Sequence, residues 1–329
     1  MVPMMISVIL PTYNRKGDLS RCLESLRRQS LPAGAYEVIV VDDGSTDGTA
    51  EAIAPSAGLT VVRQDRRGPG AARNSGAAMA AGAILACIED DVIAAPDWLE
   101  AGLRAFEDPE VAAAEGTTQV EGETLRSFDA PEQLSYVPCN FFVRKDVFKA
   151  LGGYDEEFFE PGLGLYFRED ADFGFRLLEQ GRRVVRVPDA VVTHPRQFTD
   201  PASPWRHVRR YLFDPLLARK HPRAYRHQIE IKRIAGVRIP RPFHYAALCS
   251  LAGWLLLGAG LILSSAAAAI AGGAAVVACL FVVQYRYTHR WIPALTQVAR
   301  FIAFFSLPFY YCYWHVRGCI RFRYWKSLI

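Results

Sequence analysis

No aspartate or glutamate occurs after Glu230 in this 329-residue chain. The last 99 residues carry 11 Lys and Arg and no acid, so a formal net charge of +4 conceals an acidic first part and a basic tail. Such a tail suits a nucleic acid or an anionic membrane face as partner. None of the seven cysteines forms a C-x-x-C pair. That argues against a zinc or disulfide framework and leaves small buried hydrophobes in a reducing compartment. Residues 1–10 lack the basic start of a secretory signal and lead directly into a strand. The first loop after that strand has no glycine before Gly17, which rules out a G-x-G-x-x-G dinucleotide fingerprint. From His244 to Val283 there is no Asp, Glu, Lys or Arg. Those forty residues exceed the roughly 20 needed for one membrane crossing.

What the first part does contain is alternating strand and helix signals. Ile6–Leu10, Tyr36–Val41, Leu59–Val62 and Ala83–Ile88 are apolar runs of strand length. Between them lie helical patterns: Leu19, Leu23 and Leu26 at helical spacing, a turn and helix from Ser45 through Ile53, and the alanine-rich Gly70–Ala81. Pro96-Asp97-Trp98-Leu99 opens a further helix, and Asp170–Gln180 forms another that Gly181 ends. The order βαβαβαβ implies right-handed crossovers and a mostly parallel central sheet, with ligands beyond the carboxyl ends of its strands. Val111–Ala114, Tyr136–Val143, Arg183–Val187 and Ala190–Thr193 are later strands. Gly152–Phe159 reads as an exposed acidic and aromatic turn.

Three acidic clusters fall at strand or helix ends: Asp42-Asp43, Glu89-Asp90-Asp91 and Glu169-Asp170-Ala171-Asp172. Like charges crowded together need a cation or solvent to relieve them. Each cluster also has a plain structural reading: a solvated turn, a helix cap at Asp42 or Asp43, or favourable charge at a helix N-terminus around residue 170.

The ordered set of motifs resembles a membrane-associated, inverting family 2 glycosyltransferase with the GT-A fold for nucleotide-diphospho-sugars. The matching pieces are Pro11-Thr12-Tyr13-Asn14-Arg15, Val41 to Gly48, Gly68 to Gly76, Glu89-Asp90-Asp91, Gly152 to Glu156 and Arg168 to Phe173, across about residues 1–200. The resemblance implies transfer of a sugar from a nucleotide diphosphate, with Mg²⁺ or Mn²⁺. Pro11 and Tyr13 would flank the base. Asp43 would accept from a uracil N3–H, which favours a UDP-sugar, though dTDP presents the same imide, and Arg73 would approach the ribose or diphosphate. At the D-x-D position the first place holds glutamate, a departure from the pattern. Asp91 is the best metal ligand there, Asp90 would meet the donor sugar or ribose, and Glu89 would reach the metal directly or through water. His194 would meet metal or diphosphate, or serve as a structural histidine. Asp170 is the expected general base, supported by Glu169. His207-Val208-Arg209-Arg210-Tyr211 faintly resembles the Gln-x-x-Arg-Trp motif of processive synthases, which makes Arg210 a diphosphate contact. With both ends of that motif altered, transfer of one sugar is expected.

The tail completes the expected layout. Residues 1–200 form the catalytic domain and 201–242 a basic interfacial helical segment, with 11 Lys and Arg against Asp214 and Glu230. Residues 243–329 form a C-terminal membrane domain, with a helical hairpin over 245–284 and a third hydrophobic helix over 292–316. Basic flanks place the catalytic domain on the cytoplasmic side of the plasma membrane. The implied partners are the nucleotide-sugar, a lipid-linked or polyprenyl phosphate acceptor and membrane lipids. Nucleic acid is not expected. Competing readings are the same chemistry on a protein or soluble saccharide, and a silent scaffold that binds a nucleotide-sugar.

Overall fold

The computed structural model describes residues 6–53, 57–120, 138–195, 203–234, 237–240, 242–288 and 297–327. The chain divides into two compact units, Met1–Arg196 and Gln197–Ile329. The first is built around an eight-stranded sheet of order β3-β2-β1-β4-β7-β6-β10-β5. Its strands are β1 (Ile6–Thr12), β2 (Tyr36–Asp42), β3 (Leu59–Arg63), β4 (Ile84–Ile88), β5 (Ile93–Ala94), β6 (Val111–Val120), β7 (Asn140–Arg144) and β10 (Arg183–His194). A separate small hairpin joins β8 (Phe159–Glu160) to β9 (Leu165–Tyr166).

β1 is the centre of the parallel half and pairs with both β2 and β4. Its continuous apolar run follows from burial on both faces. On one face Ile6, Val8 and Leu10 meet Leu19, Cys22, Leu23 and Leu26 of α1 (Lys16–Arg27). On the other, Ile9, Ile39 and Val41 meet Ala72 and Ala77 of α2 (Pro69–Met79). The alanines and glycines of α2 have a packing reason. A Cβ at Gly76 would lie 2.7 Å from Ile9 Cγ2, so this helix sits too close to the sheet for larger side chains.

The sheet is mixed, which corrects the mostly parallel sheet expected from the strand and helix alternation. β7 runs antiparallel to both β4 and β6, and β5 runs antiparallel to β10. Parallel neighbours need a crossover over one face, as α1 and α2 provide; β6 and β7 are successive and side by side, and such strands pair antiparallel. The two expected strands 183–187 and 190–193 are one strand, β10, whose register shifts between Val187 and Val191. Pro188 lies in that shift, where a residue without an N–H is tolerated. Of the turn and helix expected from Ser45 through Ile53, only the single turn Ala50–Ala52 is helical. The segment at 152–159 is not an exposed aromatic turn, because Tyr154 and Phe158 are buried. Tyr154 packs on Phe148 of α4 (Lys145–Ala150) and on Phe173, with ring centroids 5.6 and 5.1 Å away.

The second unit contains the helices Asp214–Lys220, Pro242–Ile262, Ala266–Thr288 and Gln297–Phe322. Val208, Leu212, Phe213, Leu216 and Leu217 are buried, so the apolar residues that interleave with the arginines build a core. Helices Pro242–Ile262 and Ala266–Thr288 approach closely at glycines. A Cβ at Gly260 would lie 2.4 Å from Ala269 N, and one at Gly272 2.4 Å from Leu257 N.

Among the described residues no helix is long and apolar enough to cross a membrane. This overturns the membrane-associated reading, the C-terminal membrane helices and the transmembrane hairpin with its third hydrophobic helix. The plasma-membrane location and cytoplasmic orientation fall with them, because both rested on those spans. The expectation rested on the lack of charge over 244–283 and on its basic flanks; in the structure, glycines bring the helices Pro242–Ile262 and Ala266–Thr288 into close contact with each other. The third helix carries Arg300, Pro308, His315, Arg317 and Arg321. Residues 289–296, the start of the expected third span, lie outside the described residues.

Asn140 ties three parts of the sheet together. Its Oδ1 accepts Trp98 Nε1–H at 2.8 Å from α3 (Trp98–Arg104), and its Nδ2 donates to Thr117 O at 3.0 Å and Ala190 O at 2.8 Å. Asn140→Ala orphans one buried donor and two carbonyls. It is expected to lower the unfolding free energy by roughly 3 kcal/mol in a urea titration. A loss below about 0.5 kcal/mol, the scale of an ordinary surface change, would contradict this role.

Candidate active site

The carboxyl ends of β1, β2 and β4 lie side by side. Thr12 is level with Asp42, and Ile9 with Cys87. The segments that leave these ends, Tyr13-Asn14-Arg15, Asp43-Gly44 and Glu89-Asp90-Asp91, therefore converge on one edge of the sheet. This is where parallel α/β sheets bind ligands.

Asp90 and Asp91 are both buried there. Thr12 Oγ1 donates to Asp90 Oδ2 at 2.7 Å. Arg15 Nη1 donates to Asp91 Oδ2 and lies 3.4 Å from Asp90 Oδ1. Burial pushes the Asp90 carboxyl up to about 6, against the pull of Arg15 and Thr12. The other oxygen of Asp91, Oδ1, is buried without a hydrogen-bond partner. It faces His194 Nε2 at 3.5 Å. His194 Nδ1 lies 2.9 Å from Pro195 O, and a carbonyl only accepts, so Nδ1 carries the proton. In the neutral ring, Nε2 then offers its lone pair toward Asp91, the arrangement of a metal-ligating histidine oriented through its second nitrogen.

Glu89 completes the group. Ligand atoms of Glu89, Asp91 and His194 lie within 4.8 Å of one another, the metal-sized cluster found among the described residues. Two carboxylates and an imidazole suit Mn²⁺ or Mg²⁺, and the orphaned Asp91 oxygen is the donor such an ion would satisfy.

Arg73 lies behind this centre. It projects from α2, and its side chain is 2% exposed. Nη2 is 3.4 Å from Glu89 Oε1 and Nη1 is 4.0 Å from Glu169 Oε1, while Nε and Nη1 have no hydrogen-bond partner. This cation links the acidic centre to the start of α5 (Glu169–Glu179). The residue before α5, Arg168, adopts φ +79°, a left-handed conformation that few non-glycine residues take. Asp170 Oδ1 accepts the Ala171 N–H at 2.7 Å. Burial pushes the Asp170 carboxyl up, opposed by that hydrogen bond and by Arg168 and Arg73. Asp172 is engaged elsewhere, accepting from Arg176 Nε and Nη2 at 2.9 and 2.6 Å.

The residues expected around the base are placed differently from one another. Asp42 is fully buried and serves the turn, its Oδ1 accepting Ser45 N–H at 2.9 Å. Asp43 accepts Gln64 Nε2, Arg67 N–H and Gly68 N–H at 2.8 to 2.9 Å, which fixes the loop leading into α2. A carboxylate has about four lone-pair positions, so one more donor can be accommodated. The Tyr13 ring carries the Arg66 guanidinium 3.4 Å above its centroid. Pro11 lies inside β1, which runs on to Thr12, and is buried level with Val41. Arg210 belongs to the second unit, in the turn Arg209–Phe213. Asn74 clamps Tyr154, accepting its N–H and donating to its carbonyl, each at 2.8 Å.

Sequence reasoning gave no role to Thr12, Arg15 or Arg66. Thr12 and Arg15 lie inside the motif Pro11-Thr12-Tyr13-Asn14-Arg15. Their partners, 75 to 78 residues away, become visible only once β1 and β4 are paired.

Comparison with known proteins finds glycosyltransferases. A glycosyltransferase from Haloferax volcanii, AglE, is 28% identical over 77% of this chain and 80% of its own. The pre-mycofactocin glycosyltransferase of Mycobacterium tuberculosis is 32% identical over 57% of this chain and 42% of its own, so this chain spans less than half of that relative. The glucosyl-dolichyl phosphate glucuronosyltransferase of Haloferax volcanii is 27% identical over 58% of this chain and 69% of its own. A mannosyltransferase from Pyrobaculum calidifontis, solved with GDP-Man and Mn²⁺, shares the fold with a TM-score of 0.57, over 94% of this chain and 86% of its own, at 19% identity. The profile of glycosyl transferase family 2 matches residues 7–173, which takes in the ends of β1, β2 and β4 and the start of α5, but not His194. The match covers half of the chain, with the acidic strand ends inside it: the chain is a glycosyltransferase, a member of glycosyl transferase family 2.

Proposed function

We propose that this enzyme moves one sugar, with inversion, from a UDP-sugar to a hydroxyl or phosphate of a lipid-linked acceptor in cell-envelope polysaccharide or glycolipid synthesis. The observation that carries the reading is the continuous polar path from His194, Asp91 and Glu89 through buried Arg73 to Glu169 and Asp170. It joins a metal-sized cluster to a carboxylate of raised proton affinity within one unit.

Each residue has a task in this reading. Glu89, Asp91 and His194 hold a divalent cation, which would neutralise the charge growing on the leaving diphosphate. Asp90 receives a hydroxyl of the donor ribose or sugar, and Tyr13 with Asp43 holds the base. Asp170 takes the proton of the attacking acceptor as the new bond forms. Arg73 and Glu169 are positioning residues that fix the distance between the two acidic groups. An acid-free run of 99 residues suits a phosphate-bearing partner. The dolichyl phosphate acceptor in the name of one relative supports the lipid-linked class.

Three outcomes test this. A donor screen that reads released nucleoside diphosphate, with lipid-linked acceptors present, is expected to show turnover with a UDP-sugar. EDTA abolishes it and Mn²⁺ or Mg²⁺ restores it; turnover only with GDP-sugars would overturn the uracil contact of Asp43, and turnover only with dTDP-sugars would overturn UDP as the donor nucleotide while leaving that contact, since thymine presents the same N3–H. Asp170→Asn is expected to lower kcat by about 10²–10⁴-fold, the scale of a lost general base, with nucleotide affinity unchanged. Because Asp170 must be ionised to act and burial raises its pKa, kcat is expected to fall on acidification along a limb centred above about pH 4, the ordinary aspartate value. An activity profile flat down to pH 4, or normal turnover by a folded Asp170→Asn, would exclude Asp170 as base.

A further inference from the structure

Arg15 is the cation of the acidic centre that the reading above leaves without a task. It is the N-cap of α1 and follows Asn14, whose φ is +52°. Its guanidinium holds Asp91 Oδ2 and approaches Asp90 Oδ1 at 3.4 Å. Its side chain is 40% exposed, whereas Asp90 and Asp91 are below a tenth. The carboxylates are fixed and the arginine has open space around it.

The two oxygens of Asp91 serve different cations. Oδ2 takes Arg15, and Oδ1, without a hydrogen bond, faces His194 in the metal-sized cluster. A divalent ion on Oδ1 and a guanidinium on Oδ2 would share a single negative charge and repel one another. Two cations serve the carboxylates Glu89, Asp90 and Asp91, Arg15 from the solvent side and Arg73 from within, and Arg73 is shared with Glu169. Arg73 is 2% exposed and cannot leave, so the displaceable charge is Arg15.

We propose that Arg15 is an internal counter-cation of the acidic centre, which a divalent ion drives off Asp91 and which then meets the anionic diphosphate of the nucleotide. Metal and nucleoside diphosphate thereby tighten one another's binding through Arg15, and by linkage the effect is equal in both directions. The inference rests on the proposed function for the identity of the diphosphate. Its first half, competition between Arg15 and metal, is read without donor, acceptor or turnover.

The test is Mn²⁺ binding followed by electron paramagnetic resonance on the full chain, with and without UDP, for wild type, Arg15→Gln and Arg15→Lys. Arg15→Gln is expected to bind Mn²⁺ alone at least fivefold more tightly than wild type. It is also expected to lose most of the tightening that UDP gives wild type. Arg15→Lys keeps the charge and is expected to stay near wild type. Should Arg15→Gln fail to fold, the wild-type arginine Nε–H resonance that is lost in Arg15→Lys is followed during a Mg²⁺ titration, and it is expected to shift. Equal or weaker Mn²⁺ binding by folded Arg15→Gln, no Mn²⁺ binding by any variant, or an unmoved resonance overturns the inference. Absence of sugar transfer with the expected Mn²⁺ pattern intact would count against the proposed function alone.

Discussion

The arrangement of this catalytic unit depends on the need to balance carboxylates packed at the ends of parallel strands. Pairing β1 with β2 and β4 brings three loops together, and Glu89, Asp90 and Asp91 arrive on one of them. Buried carboxylates held side by side are costly unless positive charge lies close. The fold supplies it from two directions: Arg15 from the loop after β1, and Arg73 from α2. The glycines of α2 let it approach the sheet closely enough to bury that arginine. The start of α5 then shares the Arg73 charge through Glu169, which couples the position of Asp170 to the acidic centre.

Much of this was legible in the sequence because its causes are local. Strands buried on both faces show as continuous apolar runs, and β1, β2 and β4 appeared within a residue or two of their observed limits. Acidic clusters at strand ends could be placed at one sheet edge by topology alone. Gly68 illustrates a local signal with a non-local cause: its φ of +88° suits glycine, and a Cβ there would lie 2.7 Å from Phe159 Cδ2.

What could not be read depends on distant partners or on degree. Asp43 shows as a carboxylate, but not as one already accepting three hydrogen bonds from the loop at 64–68. Arg73 shows as a candidate donor, but not as a side chain sealed between two glutamates. The mixed sheet was hidden because β7 inserts between β4 and β6 in an order unrelated to the sequence. The tail misled for a different reason. Forty residues without Asp, Glu, Lys or Arg suggested a membrane pair, yet among the described residues no helix is long and apolar enough to cross. Gly260 and Gly272 instead mark close contact between two helices.

The central claim is that Glu89, Asp91 and His194 form the cation site of the transferase. The most direct measurement is the anomalous diffraction of manganese in crystals of the enzyme grown with Mn²⁺ and a nucleoside diphosphate. The account predicts one strong peak bonded to Asp91 Oδ1 and His194 Nε2, with Glu89 beside it and Arg15 off Asp91. A peak bonded to other residues, or no peak with Arg15 still on Asp91 and nucleotide present, would contradict it.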